Sequence, residues 1–246
     1  MQMDMTKTTE KRILIIPDVH GRDFWKEPCN KWDGDIIFLG DYFDPYPSEG
    51  ISIKDAIKNA EELISIMADK RVTALAGNHD CHYIIDNFSM STRYSYAYQD
   101  VIGQMLKCMP LKLAHQEGDF LFTHAGVTKY WLNAIDKFGF IKGNLVDGLN
   151  DMFYSALRGN NGAIAALSTV GYSRGGRYET GSCVWADFYD TVNTEIYDEL
   201  TQVVGHSQVV RMINAKDIDP DFNSIYYTDC HKPCILENNK IIEYEE

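Results

Sequence analysis

RILIIPDVHG, residues 12–21, is an apolar run that turns within a few residues into an aspartate, a histidine and a glycine. The short run of branched apolar residues reads as a strand buried on both faces. On an extended chain residues i and i+2 share a face, so Asp18 and His20 can converge on one point beyond the strand's end. A metal ion is the candidate for that point.

The same build recurs in GDYFD (40–44), GNHD (77–80), THAG (123–126) and VVGHS (203–207), each ending an apolar run beside a glycine. Between the second and third, Ile53, Ala56, Ile57, Ala60, Leu63, Ile64 and Met67 recur at three- and four-residue spacing, which predicts a helix over 52–70 covering a sheet. Such strand–helix–strand alternation predicts parallel neighbours with right-handed crossovers. Ligands of open α/β sheets bind at the carboxyl ends of strands, so the five ends can share one site. Each motif alone is ordinary turn chemistry. Their order and their common position after strands carry the inference.

The side chains gathered this way are Asp18, His20, Asp41, Asp44, Asn78, His79, Asp80, His124 and His206. Carboxylate, amide oxygen and imidazole suit a borderline divalent metal such as manganese, iron or zinc. Two ions fit if one carboxylate bridges them, an arrangement that stabilises attacking and leaving oxygens in a displacement at phosphorus.

Further along, STRYSYAYQDVIGQMLKCM reads as irregular chain followed by a helix, and LKLAHQEGDFLFTHAG as two strands joined by a Glu-Gly-Asp turn. A largely helical stretch over 128–167 precedes a glycine-rich segment, and the C-terminal part reads as short strands. We expect one domain spanning 1–246, with a helical insertion around 128–167.

The 246 residues are 45% hydrophobic, enough for one sizeable core. The opening MQMDMTKTTEKR lacks the apolar core of a signal peptide, and no apolar run is long enough to cross a bilayer, so a soluble cytoplasmic protein is expected. The net charge of −13, with dispersed Lys and Arg, argues against long nucleic acid as a partner. The six cysteines form no disulfide framework; the pair Cys230 and Cys234 lacks two ligands for structural zinc, so buried reduced thiols are expected. His82, His115 and His231 read as structural or surface residues. The tyrosine-rich stretch 93–98 reads either as a wall over the site or as aromatic packing beneath a loop.

The order DxH, GDxxD, GNHD and two isolated histidines after strands resembles the calcineurin-like metallophosphoesterase superfamily. VVGHS, WAD (185–187) and YYTD are most similar to its branch of serine/threonine protein phosphatases and symmetrical diadenosine tetraphosphatases. The resemblance implies an α/β (α+β) fold, a four-layer β-sandwich of mixed sheets flanked by helices. It implies that Asp18 and His20 hold a first metal, that Asp41 bridges two, and that Asn78, His124 and His206 hold the second. The implied nucleophile is a hydroxide shared by the metals. His79 would protonate the leaving oxygen, with Asp44 orienting its imidazole; a carboxylate-tethered histidine suits that task.

The expected substrate is a phosphoprotein or a small phosphoester, hydrolysed as a monoester. Diadenosine tetraphosphatase or nucleotide phosphodiesterase activity is the alternative, and a non-catalytic scaffold the remote one. The sequence departs from the branch after GDxxD, where an arginine that grips phosphate is usual and Pro45, Tyr46 and Pro47 stand instead. YSRGGRYETG offers Arg174 and Arg177 as replacements, guanidinium forks beside flexible glycines.

Overall fold

The computed structural model describes residues 12–245, so residues 1–11 of the opening segment lie outside it. The strands are β1 (Ile13–Ile16), β2 (Asp35–Phe38), β3 (Val72–Leu75), β4 (Leu111–Lys112), β5 (Ala114–Glu117), β6 (Phe120–Thr123), β7 (Thr201–Val204), β8 (Ile213–Asn214), β9 (Ile225–Tyr227), β10 (Cys234–Glu237) and β11 (Lys240–Glu243). The larger helices are α1 (Lys26–Lys31), α2 (Ile53–Met67), α3 (Asn78–Ile84), α4 (Gln99–Cys108), α5 (Lys129–Asp136), α6 (Leu145–Leu157), α7 (Asn161–Leu167) and α8 (Phe188–Asn193).

One sheet runs β11-β10-β1-β2-β3-β4, the other β5-β6-β7-β9-β8. β1, β2, β3 and β4 are parallel, as the βαβ alternation requires, while β10 and β11 add antiparallel strands at the other edge. In the second sheet parallel pairs join β6, β7 and β9, and antiparallel pairs add β5 and β8. Both sheets are therefore mixed.

Alternate residues of β1 serve two layers. Ile13 and Ile15 join Ile37, Leu75, Phe120, Phe122 and Val203 in the core between the sheets. Leu14 and Ile16 face the other way, onto Ala56, Ala60 and Leu63 of α2 and Ile102 and Leu106 of α4. Burial on both faces explains why ILII has no polar alternation. Each such side chain contributes about 1.5–3 kcal/mol of transfer free energy.

Helix α2 begins where the sequence places it. Ser52 caps it, with Asp55 N donating to Ser52 Oγ at 3.2 Å and Ser52 N donating to Asp55 Oδ2 at 3.1 Å. The stretch 111–117 differs from its reading as one strand. The chain leaves the first sheet after β4 and enters the second at β5, because Asn150 Oδ1 accepts from Leu113 N and Ala114 N at 2.8 and 3.0 Å and holds the crossing open. Helices α5, α6 and α7 bury Trp131, Phe153 and Leu167 in the same cluster as Leu113 and Leu121.

All six cysteines are free, but Cys108 in the last turn of α4 is exposed rather than buried. Among the described residues no helix is long and apolar enough to cross a membrane.

Candidate metal centre

The five strand exits meet on one rim, and their backbones are bound to one another before any ligand is considered. His20 N donates to Asp41 O at 2.7 Å and Gly21 N to Tyr42 O at 3.0 Å, joining the first two exits. The Asp80 carboxylate accepts from Asp41 N, Tyr42 N and Gly77 N at 2.7–3.0 Å, joining the second to the third. Asp18 Oδ1 accepts from His206 N at 2.9 Å, tying the first to the last.

These exits are strained. His20, Asp41, Asp44 and His206 have φ of 45°, 53°, 56° and 60°, in the left-handed region that ordinary side chains avoid. Such residues cost on the order of 1–3 kcal/mol each and cluster at functional sites.

The imidazoles are oriented by carbonyls that can only accept. His20 Nδ1 lies 2.8 Å from Phe43 O and His124 Nδ1 2.8 Å from Leu39 O, so each ring carries a proton there and turns Nε2 inward. Asn78 Nδ2 donates to Ser91 Oγ at 2.7 Å, which leaves Oδ1 facing the centre. His124 Nε2 then lies 3.0 Å from Asn78 Oδ1, 3.1 Å from His206 Nδ1 and 3.5 Å from Asp41 Oδ2. On the other side His20 Nε2 is 3.5 Å from the same Asp41 Oδ2 and 3.9 Å from Asp18 Oδ2.

Such a crowd of oxygen and nitrogen lone pairs needs positive charge among them, either a proton on His124 or a bound cation. The oxygen and imidazole donor set fits a divalent metal, and Asp41 belongs to both a His20–His79 and a His124–His206 group of metal-holding geometry. Burial alone would depress the His124 imidazole, yet the charges of Asp41 and Asp18 outweigh it and push it up to about 10. The same spot thus draws positive charge. Desolvation lowers His20 to about 3 and holds His206 well below its usual value, leaving both as the neutral rings that ligate metal. Desolvation, helped by Asp41 and opposed by His124, raises Asp18 to about 6.

A second constellation adjoins the first. His79 Nδ1 lies 2.8 Å from Asp44 Oδ2, and His79 N donates to Asp41 Oδ1 at 2.9 Å. Asp44 Oδ1 accepts from Tyr83 OH at 2.5 Å, and His82 Nε2 stands 2.9 Å from Oδ2. Burial acts to raise Asp44, but His79 and His82 outweigh it and hold the carboxyl below its usual range. His82 is thus a buried structural residue that touches the site through Asp44. Asp44, His79 and His82 also form a third group of metal-holding geometry.

Arg174 lies at the edge, its Nη2 donating to His206 O at 3.3 Å and its Nε 2.6 Å from Asp187 Oδ2. No described hydrogen bond or ion pair joins the exposed Arg177 side chain to the site. Tyr94 stacks on Tyr83 at 4.6 Å and meets His82 edge-on, so that part of the tyrosine-rich stretch is packing beneath the site. Three residues at the centre lie in stretches that the sequence reading names without giving any of them a role of its own. Asp229, buried just after β9, makes no hydrogen bond with either carboxylate oxygen; it repeats the strand-then-carboxylate signal without a glycine beside it. Tyr46, noted in the sequence only as a departure after GDxxD, and Arg93, which opens the tyrosine-rich stretch 93–98, also reach the centre.

Gly77 shows how tightly the rim is built. A Cβ there would fall onto Asp41 Oδ1 and 2.7 Å from His124 Cε1, although its backbone is in the extended region open to any residue. Gly77→Ala is expected to weaken divalent-metal binding at least about tenfold by displacing Asp41. Calorimetric titration with manganese checks it, and unchanged affinity would refute the crowding argument.

Two mixed sheets whose carboxyl rim gathers buried carboxylates and imidazoles form the architecture of a metal-dependent phosphoester hydrolase. The model of calcineurin-like phosphoesterases matches residues 11–209, and the chain belongs to that family. Among solved structures, it is similar to a point mutant of a cold-active protein tyrosine phosphatase, with TM-score 0.59 and 18% identity over 95% of this chain and 77% of that one. A protein serine/threonine phosphatase from Saccharomyces cerevisiae with similarity to human phosphatase PP5 aligns with TM-score 0.49 and 12% identity, over 98% of this chain and 82% of that one. The first likeness is one of fold. No curated protein matches the chain in sequence.

Proposed function

We propose that the protein is a dinuclear phosphomonoesterase, with Asp41 shared between two divalent ions. The observation that carries this is the position of Asp41 Oδ2, 3.5 Å from the inward Nε2 atoms of both His20 and His124. Asp18 and His20 complete one ligand set; Asn78, His124 and His206 complete the other. Manganese, iron and zinc all suit these donors, and availability chooses among them. Bound, the ions supply Lewis-acid polarisation of the phosphoryl group and an activated water.

The chain's own residues supply the remainder. His79, held through Nδ1 by Asp44, presents Nε2 as the proton donor to the leaving oxygen. The Tyr83 hydroxyl holds Asp44 by a hydrogen bond, with the buried His82 ring packed 2.9 Å from its other oxygen, so the imidazole is oriented before substrate arrives. Arg174 stands beside His206 as a rim contact for substrate, although its pairing with Asp187 takes up part of its charge. The substrate is a phosphorylated protein or a small phosphoester.

The test is hydrolysis of an aryl phosphate monoester against the matching diester during titration of metal-stripped protein with manganese. Turnover of the monoester rising to saturation near two equivalents supports the reading. Saturation at one equivalent removes the dinuclear claim, and preference for the diester moves the assignment to a phosphodiesterase.

A further inference from the structure

We propose that Arg93, seated on the ring of Tyr46, is the side chain that grips the phosphoryl oxygens of the substrate. The proposal deepens the hydrolase reading above and rests on it.

Among the described residues Arg22, Arg93 and Arg174 stand near the centre, and two of them are neutralised. Arg22 donates to both oxygens of Glu49 at 2.7–2.8 Å, and Arg174 pairs with Asp187. Arg93 has no carboxylate partner among the described residues. Its Nε donates to the Asp44 carbonyl at 2.9 Å, a neutral acceptor that fixes the guanidinium without cancelling its charge. Its Nη atoms make only long contacts, 3.4 Å from Thr92 Oγ1 and 3.4 Å from His79 Nε2. The free side of the fork therefore lies beside the atom proposed to meet the leaving oxygen.

Tyr46 makes this placement possible. The Arg93 Cζ stands 3.7 Å from the centre of the Tyr46 ring, within cation–π range, and the same ring meets His20 edge-on at 5.0 Å. The shelf thus spans from a candidate metal ligand to the guanidinium. Arg93 itself has φ of 66°, a left-handed conformation shared with four of the candidate site residues. A strained backbone held in place, a partly exposed guanidinium without a counter-charge and a planar support are the parts of an oxyanion grip. Pro45 and Tyr46 occupy the place where the resemblance leads one to expect an arginine, and Arg93 reaches the same centre from a segment about fifty residues further along.

The test uses inorganic phosphate as probe, on manganese-loaded wild type, Arg93→Ala, Arg93→Lys and Arg174→Ala. Phosphate binding is measured by calorimetry, its competitive inhibition and KM with an aryl monoester, and bound metal by elemental analysis. Arg93→Ala is expected to weaken phosphate binding about 10- to 100-fold and to raise KM in step, with metal content unchanged. Arg93→Lys, which keeps charge and loses the fork, is expected to fall between. Arg174→Ala, whose guanidinium is already paired, is expected to lose less than Arg93→Ala, and the reverse order overturns the proposal. Unchanged phosphate affinity in Arg93→Ala overturns it too; so does a fall in kcat or metal content with phosphate affinity intact, which marks Arg93 as a support for Asp44. If the alanine variant does not fold, Arg93→Lys decides alone, and wild-type affinity in it overturns the proposal. A failure of the dinuclear reading looks different, since it shows in the metal stoichiometry of the wild type.

Discussion

Asp41→Asn is expected to lower kcat roughly 10³- to 10⁴-fold on an aryl monoester, the equivalent of the several kcal/mol that bound metal supplies to the transition state. The substitution keeps the side chain's shape and removes its charge. Asp41 stands between His20 and His124 and also accepts from His79 N, so one change would weaken both proposed ligand sets and the histidine next to them. Burial would raise this carboxyl, and the surrounding imidazoles overcome that and hold it well below its usual range. Asparagine cannot answer them with charge. Thermal melts separate loss of the site from loss of the fold. Metal at about a hundred times its dissociation constant should stabilise the wild type by about 2.7 kcal/mol and the variant much less. Stripped of metal, the variant should melt lower than the wild type, because it loses the charge that pairs with His124, so the readout is each protein's own gain on adding metal. Retained turnover, or equal stabilisation by metal, would remove Asp41 from the bridge.

That prediction starts from a feature already legible in the sequence. DVHG, GDYFD, GNHD, THAG and VVGHS lie after strands because a strand buried on both faces must end where its polar residues begin, and a short apolar run makes that boundary visible. The amphipathic spacing of α2 is equally plain. Arg93 is not, because nothing local marks an arginine in an irregular, tyrosine-rich stretch; its place follows from the Asp44 carbonyl and the Tyr46 ring, which are distant in sequence. His82 reads as structural, which it is, but its contact with Asp44 depends on the turn of α3 that also carries His79. Asp80 stands in the motif, yet its task of binding three backbone N–H groups from two exits needs the folded rim. Residues whose work is done through neighbouring backbone leave little trace in the sequence. Those that repeat at strand ends leave a clear one.

His79→Asn is expected to reduce kcat by about 10²- to 10⁴-fold on an alkyl phosphate and far less on a nitrophenyl phosphate. A nitrophenolate departs without protonation, whereas an alkoxide needs a proton as the bond to phosphorus breaks, so only the second reaction depends on an acid. Asparagine preserves the backbone donation from residue 79 to Asp41 Oδ1, and the metal centre should stay intact. Asp44→Asn should show the same leaving-group pattern with smaller loss, because the imidazole would remain near its position while the carboxylate that fixes its tautomer is gone. His82 cannot substitute: its ring lies behind Asp44, buried, with Nδ1 accepting from Ser91 N at 3.1 Å. If both substrates lose activity equally in His79→Asn and bound metal falls with them, His79 belongs with the ligands. The His20–Asp41–His79 group makes that a physical alternative, and the leaving-group comparison separates the two roles.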